Sequence, residues 1–191
     1  MSVYSMSLFL HIVGALALFA AFGLEWASLY GLHRATVTGQ VREWARLLGA
    51  PRFVGGPAAL TILITGIYLS ATRWGAQGWI VVALAAMVVI AVLGAALTGR
   101  RAGAIARALP AEDGPIPAAL DRRLHDPVLM LSIALRTALF LGIVFVMSTK
   151  PSTAGALSAM GVALMVGSAA ALPAWSSGGR RARMGSAPTG L

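Results

Sequence analysis

The sequence contains no cysteine, which excludes disulfides, thiolate metal sites and cysteine nucleophiles. Charge is also scarce. Charged residues make up 11% of the chain, against about 25% in ordinary soluble domains. Hydrophobic residues make up 58% of it, too many for its polar residues to cover in water. A soluble globular enzyme is therefore excluded, and so is disorder except locally. Acidic residues number six and the only lysine is Lys150. No phosphate-binding loop, metalloprotease motif or Ser/His/Asp set is present, so no catalytic residue is assigned.

What is present is a series of long apolar runs. A spanning helix takes about 20 apolar residues, and 191 residues hold four or five of them, with no room for a soluble domain. The runs lie at about 7–30, 54–72, 75–98, 128–149 and 153–172. They predict an all-α, polytopic helical bundle of five spans within residues 1–175. The fifth run is rich in Ala, Gly and Ser, so a four-span bundle is the alternative. Six residues without Lys or Arg precede the first run. They lack the positive start of a cleaved signal peptide, so the first run reads as an uncleaved span.

The net charge of +9 could suggest nucleic acid, but the arginines sit in the gaps between apolar runs. Arg34, Arg42, Arg46 and Arg52 lie between spans one and two, and Arg100, Arg101, Arg107, Arg122 and Arg123 between spans three and four. Arg180, Arg181 and Arg183 lie in the tail, whereas the opposite side has only Arg73 and Lys150. This is the positive-inside pattern. It predicts the N-terminus outside, the C-terminus in the cytoplasm and no nucleic-acid partner. Trp26, Tyr30, Trp44 and Trp175 mark the inner interface, and Tyr68, Trp74 and Trp79 the outer one.

The connections carry their own signals. Residues 39–48 put Val41, Trp44, Leu47 and Leu48 on one helical face, as in a helix lying on the cytoplasmic membrane surface; Gly49 and Pro51 read as its stop. The proline-rich stretch 110–117 reads as a flexible link. Asp126 and Pro127 read as the N-cap and first residue of span four. The Gly/Ser/Arg tail 176–191 reads as a disordered basic cytoplasmic segment.

Only three residues inside the spans are acidic, basic or histidine: His11, Glu25 and Arg136. Such residues are functional candidates. Arg136 lies about 13 Å into span four and Glu25 about 7 Å from the same end of span one, so their side chains are within reach. Three readings stand: an ion pair that fixes how the spans pack, an anion or proton site such as a clamp for a carboxylate or haem propionate, and an arginine facing a water-filled crevice. His11 and Glu25 share nearly one helical face, with Gly14, Leu18 and Ala21 between them. His11 is either a packed, hydrogen-bonded histidine or a metal ligand, axial to haem or part of a copper site. A second haem ligand would be a methionine such as Met87 or His11 of another subunit; Met6, Met147 and Met160 could join His11 around Cu(I). His33 and His125 lie outside the spans. Pro57, Thr61 and Thr65 recur at four-residue steps in span two, where threonine can satisfy backbone groups that proline frees. Ala159, Ala163, Gly167 and Ala171 form a small-residue stripe for close helix contact within the chain, in a homo-oligomer or in a larger complex.

Several of these segments together resemble a known family. They are Leu10-His11-Ile12-Val13-Gly14-Ala15 in span one, and Gly55-Gly56-Pro57-Ala58 with Thr65-Gly66-Ile67-Tyr68-Leu69 in span two. Gly78-Trp79 and Met147-Ser148-Thr149-Lys150-Pro151 complete the set. Over roughly residues 7–151 the chain resembles the predicted integral membrane proteins of the domain of unknown function 2269 family. It is more distantly similar to the copper-resistance protein D domain and the HemJ-type protoporphyrinogen oxidases. The resemblance implies a helical membrane fold in a bacterial inner membrane, crossed several times, and His11 as a ligand of haem b. The HemJ-type enzymes also use an intramembrane lysine, whereas Lys150 stands at a span end, so oxidase activity is not part of what is implied. The resulting expectation is an inner-membrane protein that binds haem or a related redox cofactor through His11, with Arg136 and Glu25 near its acidic groups. Two other expectations stand beside it: an accessory subunit of a larger membrane complex of respiratory or photosynthetic type, and a small transporter using the Glu25–Arg136 pair.

Overall fold

The computed structural model describes residues 2–185, with side chains through residue 173. Eight α-helices make up its fold: α1 (Val3–Arg34), α2 (Thr38–Gly49), α3 (Pro51–Leu69), α4 (Gly78–Leu93), α5 (Arg100–Ala108), α6 (Ala118–Leu124), α7 (Pro127–Thr149) and α8 (Thr153–Gly185). Two π-helical turns extend this set, Ser70–Trp74 at the end of α3 and Gly94–Gly99 joining α4 to α5. Among the described residues there is no strand beyond one isolated bridge, Val37 to Pro115. Five helical stretches are long and apolar enough to cross a membrane: Val3–Arg34, Thr38–Trp74, Gly78–Ala108, Ala118–Thr149 and Thr153–Pro173.

Local signals explain most helix ends. Ser2 caps α1 through Ser5 N–H at 3.2 Å, and Asp126 caps α7 through Val128 N–H at 2.9 Å, with Pro127 at the first helical position. At the far end of α7, Lys150 takes a left-handed conformation (φ 49°), and α8 starts three residues later. Gly75 (φ 67°) turns the chain between the first π turn and α4, a conformation that glycine adopts without steric cost. Trp74 and Trp79 meet edge-to-face there at 5.8 Å, and the Lys150 ammonium lies 4.3 Å from the Trp74 ring centre.

Three expectations change in detail. Pro51 does not close the surface helix with a loop: α3 begins there, one residue after α2 ends, because proline fits the first turn of a helix. The link 110–117 is not loose. Thr38 exchanges backbone and hydroxyl hydrogen bonds with Gly114 at 2.8 to 3.2 Å, and Arg42 pairs with Asp113 while donating to the carbonyls of Pro110 and Ala111. The basic tail expected to be disordered coincides from 176 with the last turns of α8, and residues 186–191 lie outside the described residues.

The helices assemble in order: α1 packs along α3, α4 along α7, and α7 along α8. Consecutive helices α3 and α4 barely touch. Two apolar clusters fill the bundle. One lies towards the N-terminal end and includes Leu18, Phe22, Ile62, Met87, Ile90, Phe140 and Ile143. The other, at the arginine-rich end, joins Leu29, Leu32, Val41, Ile105, Leu120, Leu124, Leu129 and Ile133. Large apolar side chains such as Phe9, Leu16, Phe19, Phe53, Val88, Phe145 and Val166 cover the outside.

Close approach between elements depends on a few glycines. A Cβ on Gly31 would fall inside the Trp44 indole, which seats α2 against α1. Gly167 lies against the α7 backbone at Leu135 and Ala134, and Gly142 faces Ala163. The small-residue stripe of α8 is thus used within the chain, with Ala163 and Ala171 buried. Gly31→Ala should lower stability by about 1–3 kcal/mol through overpacking. Gly23→Ala, where an added Cβ meets nothing within 4 Å, should leave stability unchanged or raise it by up to about 1 kcal/mol. Unfolding midpoints of the two variants in mild detergent check this; equal losses would mean that the Trp44 seat does not matter.

Candidate functional site

A polar layer separates the two apolar clusters. Three elements supply it: Glu25 from α1, Thr98 from the π turn Gly94–Gly99, and Ser132 with Arg136 from α7. Glu25 and Arg136 are 6% and 9% exposed, so each needs a partner. They find one another. Arg136 Nη1 donates to Glu25 Oε2 at 2.8 Å and Oε1 at 3.1 Å, and to Thr98 Oγ1 at 3.3 Å. Thr98 and Ser132 share a hydrogen bond of 2.9 Å, and the Ser132 hydroxyl reaches the Leu93 carbonyl at 3.2 Å. The Arg136 guanidinium also lies 5.1 Å from the Phe22 ring centre.

The helices position these groups by length. Glu25 lies nine residues before the end of α1 at Arg34, and Arg136 nine residues after the start of α7 at Pro127. Both are about 13 Å from the arginine-rich end, so the offset expected from the apolar runs disappears. The π turn aids the arrangement. It changes the rotation of the helix where Thr98 must face α7; such turns recur at functional sites.

Arg136 is not saturated. All three of its hydrogen bonds leave from Nη1, and Nε is buried with no partner among the described residues. Next to the Nε–Nη2 edge, Gly94 lies over the guanidinium face: a Cβ there would stand 3.1 Å from both Cζ and Nε and 3.2 Å from Nη2. Beside this edge is a cleft of about 810 Å³. Gly55, Gly56 and Ala59 of α3 line one side of it, and Ala91, Gly94 and Ala95 the other. Its back is α1, with Leu18, Phe22 and Glu25, and α2 with α5 closes the arginine-rich end. Because α3 and α4 barely touch, the cleft opens sideways between them. Its charged lining is Glu25, Arg136 and, near α2, Arg42, Arg46 and Arg52.

His11 lies elsewhere. It is half-buried against α3, with Nδ1 3.0 Å from Thr65 Oγ1. The Thr65 hydroxyl donates to the Thr61 carbonyl at 2.6 Å, so it accepts from His11 Nδ1–H, which leaves Nε2 as the acceptor nitrogen. Fourteen residues place His11 about 21 Å from Glu25 along α1. His11 does not line the cleft, whereas Met87 does. The structure thus brings Glu25 and Arg136 together and keeps His11 apart from both. Among the described residues no group of three or more His, Cys, Asp and Glu side chains gathers as a metal site. At the arginine-rich end, His33 and His125 stack at 5.1 Å.

Phe22, Gly94, Thr98 and Ser132 were missed from sequence. The one available signal was two glycines, Gly94 and Gly99, bracketing a threonine at the end of an apolar run. No family model, curated protein or solved structure matches the chain. The fold and site together define an all-α bundle of five potential membrane spans with a charge pair at the back of a side-opening cleft.

Removing one partner of a buried pair strands the other. Arg136→Met should therefore cost about 3–5 kcal/mol. The double variant Glu25→Leu/Arg136→Met should cost less than Arg136→Met alone. Denaturant titration in detergent micelles measures both, and a double variant equal to the sum of the single losses would show that the two residues do not act as a pair.

Proposed function

We propose that the protein is an integral membrane protein, oriented with its arginine-rich end in the cytoplasm of a bacterium, that binds a single-chain acidic amphiphile in the cleft. The observation that carries this reading is the free Nε edge of Arg136 beside a small-residue cleft open between α3 and α4. A bound anion would accept from Nε and Nη2, the planar pair with which arginine holds a carboxylate. The ligand's tail would lie between Gly55, Gly56 and Ala59 on one side and Ala91 and Ala95 on the other. The volume falls within the range of small-molecule sites, roughly 300–1,000 Å³. Depth favours a free carboxylate over a phospholipid: about 13 Å of helix separates Arg136 from the start of α7 at Pro127, and a glycerol with a second chain would have to follow the head inward. Arg42, Arg46 and Arg52 add positive potential at the wet end. This reading develops the expectation of a small transporter built on the Glu25–Arg136 pair.

The test is binding of a fluorescent polyene fatty acid to the protein in phosphatidylcholine nanodiscs. Saturable binding is expected. Ala91→Phe, which fills the cleft without touching the ion pair, should weaken it at least about tenfold, the equivalent of about 1.4 kcal/mol. Equal affinity in this variant would move the site elsewhere. Displacement of the probe by phosphatidylglycerol as readily as by a fatty acid would instead make the ligand a membrane phospholipid.

A second reading keeps haem at His11. It is supported by the hydrogen bond to Thr65, which leaves Nε2 free to bind a metal. The expected observation is a Soret band that shifts on dithionite reduction and is lost in His11→Ala. A featureless spectrum from protein made with ample haem would leave His11 as a packing residue. The third expectation, an accessory subunit of a larger complex, stands beside these: Ala163 and Gly167 pack on α7 and, with Ala159, also line a groove of about 660 Å³ between α7 and α8.

A further inference from the structure

We infer that ligand binding at Arg136 is coupled to protonation of Glu25, so that the cleft takes up an acid as an anion plus a proton. The inference rests on the proposed amphiphile site and adds to it the fate of the charge. Arg136 Nη1 makes two hydrogen bonds to Glu25, and as guanidinium and carboxylate the pair is neutral. An anion on the Nε–Nη2 edge would place a second negative charge on the other side of the same guanidinium. Two carboxyl groups sharing one site do not both ionise readily, and low dielectric sharpens the conflict. A proton resolves it. Glu25 gains the proton on one carboxyl oxygen, the ligand takes over the guanidinium, and the site holds the same net charge before and after. No bond other than that O–H is formed.

The surroundings name Glu25 as the proton's destination. Arg136 from α7 is its hydrogen-bonded partner, and the other groups that line the cleft with it include Thr98 from the π turn, Phe22 from its own helix, Arg42 and Arg46 from α2, and Arg52 from α3. Arginine does not release its proton and threonine does not titrate in this range. Glu25 is the one carboxylate lining the cleft, and no histidine lines it. The neighbouring polar groups also suit a neutral acid. Thr98 Oγ1 and the Glu25 carboxyl oxygens all lie within 3.3 Å of Arg136 Nη1, so a hydroxyl stands in the layer that Arg136 would leave on turning towards the ligand.

A ligand that does not titrate separates this from simple anion binding. An alkyl sulfonate should displace the polyene probe from the wild-type protein in nanodiscs. A pH-indicator dye in weakly buffered solution should register uptake of about one proton per sulfonate bound, and affinity should fall as pH rises, by up to about tenfold per pH unit. In Glu25→Gln, binding should be independent of pH and take up no proton. Should that variant fail to fold, the wild-type slope and dye signal decide alone. Sulfonate binding to the wild type without proton uptake would overturn the inference and leave the binding site standing. Absence of saturable binding by either ligand would overturn both.

Discussion

The requirement that Glu25 and Arg136 meet governs the bundle. Each lies in an apolar helix, among neighbours that offer no solvation, and each alone would be a strong reason for its helix to leave the structure. Their pairing fixes the register of α1 against α7. Thr98 and Ser132 then extend the polar layer to α4, so three elements are tied at one depth. Above and below this layer the packing is apolar and close, and van der Waals contact rather than water exclusion holds helices together in lipid. The two clusters can be read as what the pair leaves on either side of itself.

The arrangement also sets where the bundle cannot close. Glycines and alanines on facing sides of α3 and α4 would ordinarily bring helices together, yet here they border a gap. α1 fills the space behind, and α2 is held across the arginine-rich end by the 110–117 strap. A cleft of this type is bounded by helices on three sides and open on the fourth. The arginine at its back has one edge committed to the protein and one not.

Much of the fold could be read from the apolar runs, and the reason is specific. Five runs of sufficient length, separated by arginine, leave little choice of helix number, and Asp126-Pro127 marks a helix start whatever surrounds it. The Glu25–Arg136 contact was readable as one of three alternatives, because the depths of the two charges in their runs put the side chains within reach of each other. Hydropathy does not encode hydrogen-bond register, so neither π turn was visible, and the extension of α1 to Arg34 hid the equal depth of the two charges. The strap was misread because Pro and Gly suggest a loose link, whereas its order comes from Thr38 and Arg42, some 70 residues away. The cleft was hidden for a related reason: Gly55, Ala59, Ala91 and Gly94 each look like packing positions until two helices are seen to stand apart.

The spacing of the pair along the chain bears on how such a protein is made. Glu25 and Arg136 are separated by 111 residues. A chain that enters the bilayer helix by helix delivers its acid with α1, then α2 through α6, before its base arrives with α7. For that interval Glu25 lacks the hydrogen-bonded partner that α7 supplies, and the strap that holds α2 is also still to come. The contact that joins α1 to the polar layer of α7 therefore closes only when the chain has reached residue 136 and α7 packs.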